Sequence, residues 1–103
     1  MWTFEDAHEA ITALQPESRE FGFHLCLGGG VLNNGSSDKD LDLYFLPMDR
    51  EESPNDLDGL VSRLEEYFGP SETLLDPAYL RESAYRQKLK FTFDDRRIDV
   101  FII

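Results

Sequence analysis

Asp40 and Asp42 stand two residues apart where the chain enters an apolar alternating run, Asp40-Leu41-Asp42-Leu43-Tyr44-Phe45-Leu46. They follow the glycine-rich stretch Gly28-Gly29-Gly30-Val31-Leu32-Asn33-Asn34-Gly35-Ser36-Ser37-Asp38-Lys39. Carboxylates on one face of a strand supply hard oxygen ligands for Mg²⁺ or Mn²⁺. Glycines let a backbone come close to a polyphosphate, because no Cβ stands in the way and φ > 0 is allowed. A third candidate ligand, Asp99, lies in a second apolar run, Arg97-Ile98-Asp99-Val100-Phe101-Ile102-Ile103.

Strand geometry ties these residues together. Side chains alternate faces, so Asp40, Asp42 and Tyr44 share one face and Leu41, Leu43 and Phe45 the other. The two Asp Cα atoms lie roughly 7 Å apart along a strand, and their carboxylates can converge on ions between them. If the strand bearing Asp99 is a neighbour, three carboxylates meet at one point. Such a cluster repels itself without counter-ions. Two Mg²⁺ ions about 3.5–4 Å apart would relieve the repulsion, activate an attacking hydroxyl and neutralise a departing pyrophosphate. The loop amides of Gly28, Gly29 and Gly30 and the hydroxyls of Ser36 and Ser37 would hold the triphosphate tail.

Each feature taken singly has an ordinary explanation. An Asp-Leu-Asp on a half-exposed strand is usually a solvated face, and a triple glycine is usually a turn. Asp99 alone reads as an edge charge that discourages aggregation. The combination is what carries weight: glycines, serines, paired acids at a strand entry and a third acid on a later strand.

The elements that must position these residues are legible around them. Thr3-Phe4-Glu5-Asp6 resembles a capping box, with Phe4, Ala7, Ile11 and Leu14 on one helical face. Pro16 is expected near the end of that helix. Phe21 to Leu27 reads as a largely buried strand, and Gly28 to Lys39 as a polar loop with room for one helical turn. Asp40 to Leu46 is a second strand, closed by Pro47. Ser53-Pro54-Asn55-Asp56 offers caps for a helix whose stripe is Leu57, Leu60, Val61, Leu64, Tyr67 and Phe68, stopped by Gly69-Pro70. Asp76-Pro77 is expected to open a short helical segment. Gln87 to Asp94 alternates, with Leu89, Phe91 and Phe93 opposite Lys88, Lys90 and Thr92. After an Asp94–Arg97 turn comes a last strand, Ile98 to Ile103. This order predicts a single α+β domain over residues 1–103, a small mixed β-sheet with helices packed on one face.

Composition narrows the function classes. The formal net charge is −11, which disfavours extended nucleic-acid binding and anionic membranes. No apolar stretch is long enough for a membrane span. Cys26 is the only cysteine, so no intrachain disulfide or multi-thiolate zinc site can form, and a cytoplasmic setting is the natural expectation. Cys26 sits in an apolar run and reads as a buried, inert thiol. His24 reads as a strand residue in polar surroundings.

The arrangement resembles the DNA polymerase beta-type nucleotidyltransferase superfamily in its minimal form. That family carries a small-residue pair after its first strand, then Asp-x-Asp on the next strand, then a third acid on a later one. Here the pair is Gly28-Gly29 or Gly29-Gly30, the Asp-x-Asp is Asp40-Leu41-Asp42, and the third acid matches Asp99. The resemblance implies a nucleotidyltransferase-like palm and Mg²⁺- or Mn²⁺-dependent transfer of a nucleoside monophosphate from a nucleoside triphosphate to a hydroxyl acceptor. Asp40, Asp42 and Asp99 would be metal ligands, and Asp99 would also help activate the acceptor. Lys39 replaces the serine that often precedes Asp-x-Asp, and either touches a phosphate or is a surface lysine. Lys88 and Lys90 are open to the same two readings. The common Arg-Gly after the small pair is replaced around Leu32 to Gly35. Full enzymes continue past the third acid's strand with further helices or domains. The resemblance therefore implies completion by a partner protein or a second copy of the chain.

Two other functions compete with catalysis. One is an idle nucleotidyltransferase fold used as a binding module. The other is an acidic protein that mimics nucleic-acid phosphates. The retained triad favours catalysis over the first. The position of Asp40 and Asp42 between buried-type residues argues against the second.

Overall fold

The fold was determined as a computed structural model, which describes residues 1–37, 40–48, 55–73 and 86–103. The chain begins with a two-residue strand β1 (Trp2–Thr3) and helix α1 (Phe4–Glu20). Strand β2 (Phe23–Gly28), helix α2 (Gly29–Asn34), β3 (Ser36–Ser37) and β4 (Asp40–Pro47) follow. Helix α3 (Leu57–Phe68) and strands β5 (Glu72–Thr73), β6 (Gln87–Phe93) and β7 (Arg96–Ile102) complete the order among the described residues. Five strands form one mixed sheet in the order β2-β4-β7-β6-β5, while β1 and β3 form a separate small ribbon. Only the β4–β7 pairing is parallel within the five-stranded sheet. The α+β architecture expected from the sequence is the one observed.

The core lies on one face of this sheet. Phe23, Leu25, Leu41, Leu43, Phe45, Leu89, Phe91, Ile98, Val100 and Ile102 point to that face and are buried. Ala7, Ala10 and Leu14 of α1 and Leu60, Leu64 and Phe68 of α3 cover them. Fully burying each Leu or Phe side chain contributes about 1.5–3 kcal/mol, so this face dominates the stability. Strand alternation then sends Asp40, Asp42, Tyr44, Arg97, Asp99, Phe101, Lys88 and Lys90 to the opposite face.

Helix ends are fixed by local chemistry. Thr3 and Asp6 form a reciprocal capping box, each side chain accepting from the other's backbone N–H at 3.2 Å. Asp56 accepts from Gly59 N at 2.9 Å and starts α3. Pro16 lies near the end of α1, as expected, inside a helix that runs on to Glu20. The turn beyond it is anchored from outside. Ser18 Oγ donates to Phe23 O at 2.7 Å, and Glu17 pairs with Arg63 of α3 at 2.9 Å. Phe21 and Gly22 therefore form the helix exit, with Gly22 at φ +88°, and β2 starts two residues later than expected.

Two further expectations change. β2 is buried on one face only, so Cys26 is half-buried on the open face, not enclosed, while His24 is exposed on its strand as expected. The stretch after α2 is not all loop: Ser36 and Ser37 pair with Thr3 and Trp2. The helical segment expected at Asp76-Pro77 lies outside the described residues.

The β6–β7 hairpin turns on Asp94 and Asp95, at φ 53° and 60°. Both lie in the left-handed region, the geometry that two-residue hairpins favour and that Asn-Gly meets with least strain. Replacing Asp94 and Asp95 by Asn and Gly is expected to stabilise the fold by about 1 kcal/mol. Urea denaturation measures this, and a lower midpoint in the double variant would contradict it.

Candidate metal and phosphate site

Register places the acids. β4 pairs in parallel with β7 so that Asp42 lies opposite Asp99 and Asp40 opposite Arg97. On the other side of β4, Gly28 lies opposite Asp42. One carboxylate oxygen from each of Asp40, Asp42 and Asp99 falls within 4.8 Å of the other two. The three acids singled out in the sequence therefore form one cluster on the open face.

The glycine loop reaches the same point. Gly29 has φ +66°, and a Cβ built there would overlap the Asp42 carboxylate. A Cβ at Gly28 would overlap the Tyr44 ring. Of the two alternative registers for the small pair, Gly28-Gly29 is the one that abuts the acids. Gly30 lies inside α2. Ser36 is half-buried in β3, and its hydroxyl makes no hydrogen bond among the described residues. Ser37 is placed by its backbone beside Trp2. Lys39 lies outside the described residues.

The cluster carries its own partial neutralisation. Asp99 is 4% exposed, and Arg97 Nε donates to its Oδ1 at 2.7 Å. That bond, more than the surrounding negative charge, raises the Arg97 pKa further above its ordinary value. Burial first, then a hydrogen bond to Asp99 and the charges of Asp42 and Asp99, push Asp40 up to about 6. Asp42 is also raised, by burial and by Asp99, against the opposing charges of Lys88 and Arg97. Repulsion between two like charges, about 4 kcal/mol at 4 Å and an effective dielectric of about 20, adds to the effect of burial.

Sequence reasoning did not find Arg97 as a partner of Asp99, because Arg96-Arg97 read as a turn. It also missed the network that holds β7 in place. Trp2 Nε1 donates to Arg97 O at 2.8 Å. The Arg96 guanidinium lies 3.8 Å from the centroid of the Trp2 ring and bonds Asp6 Oδ2 at 3.0 Å. Asp6 thus serves both the α1 cap and the start of β7. The only hint in the sequence was the N-terminal Trp2 beside a capping box.

The donor set suits a hard divalent ion. Three carboxylates that each bring an oxygen within 4.8 Å of the others could hold a hard divalent ion such as Mg²⁺ or Mn²⁺. Asp40, Asp42 and Asp99 would hold the ions.

The raised Asp40 value makes a directional prediction. The folded protein keeps its proton to a higher pH than the unfolded chain does, so the cluster costs nothing below about pH 4. The cost grows as pH rises through about 6, where folded Asp40 ionises. Without metal, Asp40→Asn should match the wild type near pH 4 and exceed it at pH 7 by about 1 kcal/mol, after allowance for solvent screening. Urea midpoints in chelator at both pH values measure this, and an equal difference at the two would contradict it. Gly29→Ala should lower the melting temperature and diminish the rise that Mn²⁺ produces, and retention of the full rise would contradict the close approach. No protein-family model, no curated protein and no solved structure matches this chain.

Proposed function

We propose that this protein is a metal-dependent nucleotidyltransferase, moving a nucleoside monophosphate from a nucleoside triphosphate to a hydroxyl acceptor. The observation that carries the reading is the meeting of Asp40, Asp42 and Asp99 within 4.8 Å beside Gly28 and Gly29. Mg²⁺ or Mn²⁺ bound there would polarise the acceptor hydroxyl and neutralise charge on the departing pyrophosphate.

The chain's residues have distinct parts in this reaction. Asp42, from β4, faces the glycine backbone, so it borders the space where phosphate oxygens enter. Asp99, buried and oriented by Arg97, takes the proton of the acceptor hydroxyl as that oxygen attacks the α-phosphorus. The bond from the α-phosphorus to the oxygen bridging to the β-phosphate breaks, and its electron pair leaves with pyrophosphate. Asp40 must give up its own proton before it can serve as a ligand, so binding strengthens as pH rises through about 6. Transfer of this kind depends mainly on positioning and charge stabilisation.

A partner protein or second copy would supply contacts to the base and the acceptor. The setting proposed is the cytoplasm, and no helix among the described residues is long and apolar enough to cross a membrane.

Mn²⁺ with a nucleoside triphosphate is expected to raise the melting temperature of the wild type by several degrees, and Asp42→Asn should lose most of that rise. Equal rises in the two proteins would remove the acids from the site. Incubation of each labelled triphosphate with the protein and a cell lysate should move label to an acceptor. Metal and nucleotide binding without any label transfer would reassign the fold to binding alone.

A further inference from the structure

β6 presents two lysines to the open face, and the structure treats them differently. Lys90 lies opposite Asp99 in the register, whereas Lys88 lies opposite Phe101. Register alone would choose Lys90 as the residue nearer the acids. Its Nζ instead pairs with Glu72 Oε2 on β5 at 3.7 Å. Lys88 extends the other way, and its Nζ lies 4.8 Å from the centroid of the Phe101 ring. Phe101 stacks on Tyr44, with centroids 4.6 Å apart and planes 10° from parallel. The Tyr44 ring in turn lies against Gly28. Gly28, Tyr44, Phe101 and Lys88 thus form a packed row across the four strands β2, β4, β7 and β6.

This row does two things. It holds the Lys88 ammonium over the sheet on the side of the acids, and its charge favours ionised Asp42 more than that of Arg97 does. It also covers the facing sides of the Tyr44 and Phe101 rings, which stack on each other. Of the three described cations on this face, Arg97 is bound to Asp99 and Lys90 to Glu72. Lys88 forms no ion pair among the described residues. A compact ammonium with three donors, held beside acids and not spent on them, suits phosphate oxygens.

We propose that Lys88 binds the non-bridging oxygens of the triphosphate, across the carboxylate cluster from Gly28 and Gly29. The proposal rests on the nucleotidyltransferase reading and adds a phosphate contact to it. The triphosphate then spans the open face from the glycine backbone on β2 to the ammonium on β6. Removing the Lys88 charge weakens phosphate binding without weakening metal binding.

Calorimetric titration of the Mn²⁺-loaded protein tests this with two probes. One is the α,β-methylene analogue of each common nucleoside triphosphate; the other is inorganic tripolyphosphate. Lys88→Met keeps an apolar stem over Phe101 and should bind both probes about tenfold more weakly. Lys88→Arg should recover most of the loss, and Lys90→Met should bind as the wild type does. Mn²⁺ alone should bind Lys88→Met at least as tightly as the wild type, because a positive charge near Asp42 is gone. Unchanged probe affinity in Lys88→Met overturns the proposal, as does a parallel loss of Mn²⁺ binding, which would mark a merely structural role. A loss confined to the nucleoside analogues also overturns it, placing Lys88 on the nucleoside. If the wild type binds neither probe, the nucleotidyltransferase reading falls and the proposal with it. If Asp42→Asn abolishes probe binding and Lys88→Met preserves it, only the Lys88 proposal falls.

Discussion

The parallel register of β4 with β7 is the constraint on which the site depends. It puts Asp42 opposite Asp99, and a shift by one residue would send Asp99 to the helix-covered face and a core residue to the open one. The buried set Leu41, Leu43, Phe45, Ile98, Val100 and Ile102 makes that shift costly. The hydrophobic face therefore fixes the geometry of the charged one. Three acids that repel one another are held together by the packing of side chains on the other face of the sheet.

A second set of contacts controls where β7 begins. Trp2 holds the Arg97 carbonyl, Arg96 lies on the Trp2 ring, and Asp6 ties Arg96 to the first turn of α1. The N-terminal residues are far from Asp99 in sequence but are part of its support. β1 also pairs with β3, which immediately precedes the segment leading to Asp40. The same short N-terminal stretch therefore braces the approach to both acid-bearing strands.

The sequence made the local elements readable because their signals are local. Alternation in residues 40–46 and 87–93, the α3 stripe and the Thr3–Asp6 box each sit within a few residues. The cluster was readable because strand parity and one assumption, that the acid-bearing strands are neighbours, were enough. What escaped was set by distant partners. Cys26 is half-exposed because its side of β2 is the open one, which the covering helices α1 and α3 set. The Arg97–Asp99 bond is only two residues long in sequence, yet its sense depends on the face that both share. Likewise, Lys88 and Lys90 have the same pattern, and only Glu72 and Phe101 tell them apart.

The separation of the two sheet faces has a consequence for how this protein can change over generations. Packing resides on one side and charge on the other, so replacement of an acid leaves the core intact. Because the clustered charges oppose folding at neutral pH, random substitution at Asp40 is biased toward sturdier molecules. A lineage freed from the need for the site would therefore lose Asp40 while keeping the same backbone. Asp40 is a residue that stability alone would not keep.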